Sequence, residues 1–200
     1  MPSPDHRAAH DYLDDHGRYR ADLPSPQPPD DQDELATLLG FLERQRATFA
    51  WKCGGLDAVA LRSTAAASSL TLGGMLKHLA RFEDDMSSEW LLGQPQRSPW
   101  NAVDWETDHA WDWPSAADDT PEQLYRQWQE AVDRSRETFA TALGRGARTL
   151  GEPQEPLPSP RYILLNMIEE YARHNGHADL IREAIDGLVG HDPPEEAPVR

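Results

Sequence analysis

A carboxylate and two imidazoles recur at helical spacing in the last third of the chain, at Glu170, His174 and His177. Steps of four and three residues place side chains on one face of an α-helix. Apolar residues continue the same face on both sides: Ile163, Met167, Ile181, Ala184 and Leu188. A buried carboxylate is costly unless it is paired or binds a metal. The pattern favours a divalent-metal site; the alternatives are a polar edge facing water and a hydrogen-bonded core histidine.

A metal site of this kind needs a further ligand from another helix, and His78 is the best candidate. His78 follows Met75 by three residues and precedes Phe82 by four, so it borders the apolar face of a second predicted helix. Taken alone, His78 is most simply interpreted as a hydrogen-bonded histidine at the edge of the core. Glu83, five residues further on, is expected to point elsewhere as an exposed carboxylate.

Four helical segments position these residues and predict an all-α fold, a four-helix bundle. We expect them at residues 31 or 33 to about 54, 71 to about 92, 120 to about 143, and 161–187. Thr71 and Thr120 are suitable N-cap residues for the second and third segments. Metal sites in such bundles are built from side chains that project inward from facing helices.

Long segments without apolar periodicity flank or interrupt the bundle. Residues 1–30 are expected to form an irregular N-terminal extension, residues 31–190 the bundle, and residues 191–200 a mobile tail. The long loop between the second and third helices, residues 94–120, carries Trp100, Trp105, Trp111 and Trp113. Long loops are often lids or binding loops. The four rings therefore either wall a pocket or hold the loop against the bundle.

Composition narrows the classes of function. The formal net charge of the 200 residues is −16 at pH 7, which argues against nucleic acid or an anionic membrane as a partner. No apolar run approaches the ~20 residues of a membrane span, and no signal-peptide pattern is visible. The one cysteine, Cys53, forms no intrachain disulfide and is interpreted as a packing residue. We expect a cytoplasmic monomer or homodimer that acts on a small molecule.

Three segments resemble the DinB-like superfamily: residues 39–48, 75–83 and 167–183. The chain is most similar to the actinobacterial branch near mycothiol-dependent maleylpyruvate isomerase, and the similarity extends over about residues 31–190. The resemblance implies a four-helix bundle that binds a divalent metal, most often zinc or nickel. It implies His78, Glu170 and His174 as the ligands. Many members have histidine at the position of Glu170, whereas the isomerase branch has glutamate there.

The same resemblance implies a low-molecular-weight thiol, such as mycothiol, used in S-transfer or isomerisation on a small electrophile. His177 is the candidate catalytic residue, as a base, a partner of a ligand, or a fourth ligand. Arg81 and Arg173 are candidates to bind carboxylates of the thiol or substrate, although arginine on a helix is more often an exposed ion-pair partner. Two other readings stay open: a metal-dependent hydrolase that uses the same site, and a non-catalytic metal-binding bundle.

Overall fold

The computed structural model describes residues 12–14, 16–20, 25–144 and 149–193. Over these residues the protein is all-helical, which confirms the predicted all-α class. In chain order the helices are α1 (Glu34–Cys53), α2 (Ala58–Leu61), α3 (Leu72–Asp84), α4 (Asp112–Ser115), α5 (Pro121–Gly144) and α6 (Pro160–Asp186). The long helices α1, α3, α5 and α6 form the bundle, in which α1 packs along α6 and α3 packs along α5. None of the helices within these ranges has the length and apolar character needed to cross a bilayer.

Side-chain caps fix where the long helices begin. Asp33 accepts a hydrogen bond from the backbone N–H of Ala36 at 2.9 Å, and Thr71 caps α3 in the same way. Thr120 and Gln123 bond each other's backbone N–H groups, a capping box at the start of α5. The C-terminus of α6 is capped by Gly187, whose φ of 78° is left-handed. Leu188 therefore lies beyond the helix and does not extend its apolar face.

A π-helical turn changes the second predicted helix. The α-helical part of α3 ends at Asp84, and Asp85–Trp90 continue as a π-helix. Its i→i+5 hydrogen bonds rotate the following side chains relative to the α-helical register. Helical spacing places Trp90 four residues after Met86 and predicts it on the apolar face, but its side chain is exposed and stacks on Tyr162 with ring centroids 6.4 Å apart. Phe41, which the apolar pattern of the first helix also predicts to be buried, is 46% exposed.

A buried ion pair between α1 and α3 lies at the centre of the bundle. The Arg46 guanidinium donates from Nε and Nη2 to the two carboxylate oxygens of Glu83, at 2.7 and 2.6 Å. Tyr171 on α6 donates its hydroxyl hydrogen to the Glu83 carboxylate at 2.7 Å, and Arg46 also donates to Ser135 on α5 at 3.1 Å. Glu83 is fully buried, so the expectation of an exposed carboxylate is wrong. The charge is tolerated there because the guanidinium and the Tyr171 hydroxyl satisfy both oxygens.

The described part of the N-terminal extension packs on the bundle. Tyr12 and Leu13 are buried, and the Tyr12 hydroxyl donates to the Glu43 carboxylate at 2.6 Å. Gly17 has a φ of 72°, and a Cβ on it would lie 2.0 Å from the Tyr125 ring, so a larger residue does not fit. The extension histidines His6 and His10 lie outside the described residues, as do residues 194–200 of the tail.

The first prediction concerns the buried ion pair. Arg46→Ala leaves the Glu83 carboxylate buried without its cation, and we expect a loss of about 3–5 kcal/mol in the free energy of unfolding. The double variant Arg46→Met/Glu83→Met should lose less, because it leaves no unpaired charge. Urea denaturation measures both. Arg161→Ala, which removes the exposed pair with Glu34, is the control and should change little. An Arg46→Ala variant as stable as this control would contradict the prediction.

Candidate metal centre

The structure brings His78, Glu170 and His174 together, as the sequence analysis expected. These three residues are called the His–Glu–His cluster below. His78 Nε2 lies 3.1 Å from Glu170 Oε1, and His174 Nε2 lies 3.0 Å from the same oxygen. One potential ligand atom from each residue falls within 4.8 Å of the other two. Among the described residues this is the group of histidine, cysteine and carboxylate side chains suited to a metal ion.

The bundle positions each member of the cluster. His78 lies on α3, and Glu170 and His174 lie one turn apart on α6, so that one turn of α6 faces one residue of α3. The side chains of His78 and His174 are 12% and 7% exposed, whereas Glu170 is 24% exposed. The imidazoles are therefore largely withdrawn from water, and the carboxylate lies at the edge of the site.

Asp112 is a site residue that the sequence analysis missed. It is buried at the start of α4, within the loop of residues 94–120, which is called the Trp-rich loop below. Its Oδ2 accepts a hydrogen bond from His78 Nδ1 at 2.9 Å. A carboxylate on the far nitrogen of an imidazole fixes its tautomer and orientation, as in carboxylate–histidine–metal arrangements. No periodic pattern marks Asp112. Its only sequence signal is an acidic residue between Trp111 and Trp113.

The hydrogen-bond acceptors that face each other in the cluster favour a cation between them. Because Nδ1 of His78 donates to Asp112, the neutral imidazole presents the lone pair of Nε2 to Glu170. Carboxylate oxygens also only accept, so two acceptors face each other at 3.1 Å. A proton or a metal ion removes this repulsion. Ligand atoms about 2.0–2.2 Å from a tetrahedral ion lie about 3.3–3.5 Å apart, close to the observed separations.

In the protein without metal, a proton on His78 would remove the same repulsion. Burial opposes a charged His78, but its hydrogen bonds to Asp112 and Glu170 prevail and raise the pKa of the imidazole above its usual value. The hydrogen bonds from His174 and His78 hold the pKa of the Glu170 carboxyl well below its usual range. Both shifts favour a carboxylate facing a cationic partner, which is the arrangement that a divalent ion also provides.

The Trp-rich loop both covers the cluster and anchors itself to the bundle. Trp113 on α4 stacks on the His78 ring with centroids 4.5 Å apart, and its ring lies 5.5 Å from that of His174. Trp100 is fully buried and donates its indole N–H to Asp84 at 2.9 Å. The loop is less irregular than expected, since it contains α4 and two short 3₁₀ turns, Trp100–Ala102 and Ala116–Asp118. Both alternatives left by the sequence therefore occur, on different tryptophans.

The remaining candidate residues lie at different distances from the cluster. The His177 ring centroid is 5.6 Å from that of His174, and its buried Nδ1 makes no hydrogen bond with the described residues. Arg81 lies one turn after His78, with Nη1 3.5 Å from Asp112 Oδ2. Arg173 is exposed and pairs with Glu169 at 2.8 Å. The roles of His177, Arg81 and Arg173 stay predictions.

Two further residues, Arg182 and Cys53, have structural environments. Arg182 is buried and donates to the backbone carbonyls of Lys52 and Gly54, at 2.9 and 3.0 Å, so it closes the C-terminus of α1. Cys53 is fully buried, and burial raises the pKa of its thiol above its usual value. A protonated, enclosed thiol has the environment of a packing residue.

The pH dependence of His78 follows from its contacts. In metal-free protein we expect its pKa to lie above 6.5. The contacts stabilise the fold fully below pH 6.5, and this contribution is lost as the pH rises through the raised value. An NMR titration of the imidazole resonance between about pH 5 and pH 9 measures it. Asp112→Asn should lower the pKa of His78, because it removes the carboxylate that accepts from Nδ1. A wild-type His78 that titrates at or below 6.5 would contradict the assignment.

Most of the chain matches a known protein family. A family model described as Mycothiol-S-transferase matches residues 37–187, well over half of the chain. The match includes the His–Glu–His cluster, the Trp-rich loop and nearly all of the bundle. No curated protein matches the chain. The resemblance to the DinB-like superfamily and its mycothiol-related branch is thereby confirmed, and the chain belongs to the mycothiol-S-transferase family.

Proposed function

We propose that the protein is a metal-dependent S-transferase that joins a low-molecular-weight thiol of the mycothiol type to a small electrophile. The observation that carries the proposal is the meeting of two imidazole nitrogens and one carboxylate oxygen in a chain of this family. The ligands of the proposed metal are His78 Nε2, His174 Nε2 and a Glu170 oxygen. Imidazole and carboxylate donors suit zinc or nickel.

The three ligands leave room for chemistry at the metal. A divalent ion held by two histidines and one carboxylate would keep a position for a further ligand, and it would lower the pKa of a thiol bound there. Asp112 holds His78 in the tautomer that exposes Nε2 to the ion. Glu170 supplies one negative charge at the partly exposed edge of the site, where the thiol would enter.

Side chains around the cluster complete the proposed reaction. The thiol sulfur forms a bond to an electrophilic carbon. In an addition, the electron pair displaced from that carbon takes up a proton. In a substitution, the pair departs with the leaving group. His177 is the proposed base for the thiol proton, because its buried Nδ1 has no partner among the described residues. Trp113 stacks on the His78 ring and lies beside the His174 ring, so it shields both imidazoles from water. It also lines an apolar cavity of about 340 Å³ with Leu61 and Leu124, which suits an apolar part of the electrophile.

The metal ligands are tested by substitution. About one divalent ion per chain should copurify, and His78→Ala or His174→Ala should abolish its binding because each removes a ligand. Elemental analysis of protein purified without a histidine tag measures the content. His177→Ala should weaken binding without eliminating it. If His177→Ala strips the metal and Glu170→Gln does not, the third ligand is His177 and the proposed set is wrong.

Asp112 is tested through metal affinity. Asp112→Asn keeps the size of the side chain but removes its charge, and affinity should fall about 10–100-fold. Competition against a chelator of known affinity gives the dissociation constant. Asp118→Asn, an exposed acidic residue of the same loop, is the matched control and should leave the affinity unchanged. Equal affinities for Asp112→Asn and this control would remove Asp112 from the site.

Thiol ligation is tested in cobalt-substituted protein. Addition of mycothiol should produce an intense thiolate-to-cobalt absorption in the near ultraviolet. The signal should strengthen as the pH rises towards neutrality, because the thiol must lose its proton and the histidine ligands must be neutral. If mycothiol, bacillithiol and glutathione leave the spectrum unchanged while ester or amide hydrolysis occurs, the protein is a hydrolase. If there is neither ligation nor turnover, it is a non-catalytic metal-binding bundle.

A further inference from the structure

The apolar cavity beside Trp113 lies where α2, α4 and the N-terminal ends of α3 and α5 meet. Its volume is about 340 Å³, and it is called the Trp113 cavity below. Its apolar lining includes Ala58, Leu61, Gly74, Trp113, Ala116 and Leu124. Because one water molecule occupies about 30 Å³ in the liquid, the cavity has room for a ligand of about ten non-hydrogen atoms.

Two glycines at the start of α3 leave this space open. Gly73 and Gly74 both line the Trp113 cavity, so the wall that α3 contributes there is bare backbone. A Cβ on Gly74 would lie 3.0 Å from Cε3 of Trp113, and one on Gly73 would lie 3.0 Å from the carbonyl oxygen of Leu61. The backbone of α3 can therefore approach the indole closely only because both residues lack a side chain.

The Trp113 cavity adjoins the His–Glu–His cluster. Trp113 lines the cavity and also stacks on the His78 ring, with centroids 4.5 Å apart. Gly74 precedes His78 by four residues, which is about one turn, or about 6 Å, along α3. A molecule in the cavity would therefore contact the indole that covers the imidazoles, and it would lie close to the proposed metal.

The charges that line the Trp113 cavity favour an anionic group. The charged residues of its lining are Arg62 and Asp119. Asp119 already pairs with Lys77 Nζ, at 2.6 Å. The Arg62 guanidinium donates to the backbone carbonyl of Ala117, and no carboxylate of the described residues pairs with it. One guanidinium at the exposed rim is thus left to bind a carboxylate, which its planar fork of donors fits.

We propose that the Trp113 cavity binds an apolar carboxylic acid, with its apolar body among Leu61, Leu124 and Trp113 and its carboxylate on Arg62. In the proposed reaction this acid is the electrophile, so the inference rests on the proposed function and names the class of its substrate. The burial of the apolar body supplies most of the affinity. The ion pair with Arg62 distinguishes the acid from neutral and cationic molecules of the same shape.

The charge preference is tested with three unreactive ligands of similar size. They are 3-phenylpropionate, its neutral amide 3-phenylpropanamide, and the cation 3-phenylpropylamine. Isothermal titration into the metal-loaded full-length protein gives each dissociation constant. We expect the acid to bind about three- to fivefold more tightly than the amide, which is the gain typical of an ion pair at an exposed rim. The amine should bind more weakly than the amide.

Arg62 is tested as the source of this preference. Arg62→Ala should reduce the affinity for the acid to that for the amide, and it should leave binding of the amide unchanged. Arg126→Ala is the matched control, because Arg126 is an exposed arginine that lines a separate polar groove. It should leave the binding of both ligands unchanged.

The cavity itself is tested by filling it. Ala58→Leu adds three carbons to a side chain in the lining, and it should weaken binding of the acid and the amide alike, by about tenfold. Val59→Leu is the matched control, because the side chain of Val59 is 78% exposed and lies outside the lining. Equal affinities for Ala58→Leu and this control would show that the ligand binds elsewhere.

A carboxylate could instead bind the metal, and cobalt-substituted protein separates the two sites. The acid should leave the visible spectrum of the cobalt ion unchanged. A changed spectrum, equal binding of acid and amide, or an Arg62→Ala variant that behaves like Arg126→Ala would each overturn the inference. The S-transferase proposal would then still stand, because none of these ligands is a thiol. If the acid binds as expected but no thiol ligates the cobalt, the S-transferase proposal falls and the assignment of the cavity to an apolar acid stands.

Discussion

The buried ion pair between Arg46 and Glu83 is the interaction on which the rest of the structure depends. Two charges at the centre of a bundle are tolerated only with precise geometry and satisfied hydrogen bonds. Both oxygens of Glu83 are bound by Arg46, and Tyr171 adds a third hydrogen bond. Tyr171 directly follows Glu170 in α6, and Glu83 lies five residues after His78 in α3. The hydrogen bond from Tyr171 to this buried carboxylate therefore ties α3 to α6 beside the cluster, where His78 Nε2 lies 3.1 Å from Glu170.

The adjacent carboxylates of Glu83 and Asp84 on α3 bind different parts of the structure. Glu83 binds Arg46 of α1 and Tyr171 of α6. Asp84 binds Trp100 of the loop and Arg134 of α5, at 2.9 and 3.0 Å. The loop is thereby attached at the end of α3, and its later part returns over His78 with Asp112 and Trp113. A segment without apolar periodicity thus acquires a defined position through buried polar contacts. This position supplies a wall of the site as well as the hydrogen bond that orients a ligand.

The sequence predicted the parts of this structure that repeat or have a local signature. Helical spacing identified Glu170 and His174 because both lie on one helix, and the caps located the helix starts within a few residues. Arg46 and Asp112 were missed for physical reasons. Arg46 is charged and its partner Glu83 comes from another helix, so no local pattern marks it as buried. Asp112 lies in a short helix between aromatic residues, and its contact with His78 exists only after the loop has folded back.

The contacts of His78 connect metal binding to the position of the loop. The imidazole bonds Glu170 on α6 and Asp112 on α4, and it stacks on Trp113. An ion held by His78 would therefore join α3 and α6 directly and the loop through Asp112. Any ligand that binds only the folded arrangement stabilises it in proportion to the logarithm of its concentration over its dissociation constant. By linkage, contacts that hold the loop in this position would strengthen metal binding by the free energy with which metal binding favours that position. The Trp100–Asp84 hydrogen bond is one such contact, and it lies outside the His–Glu–His cluster.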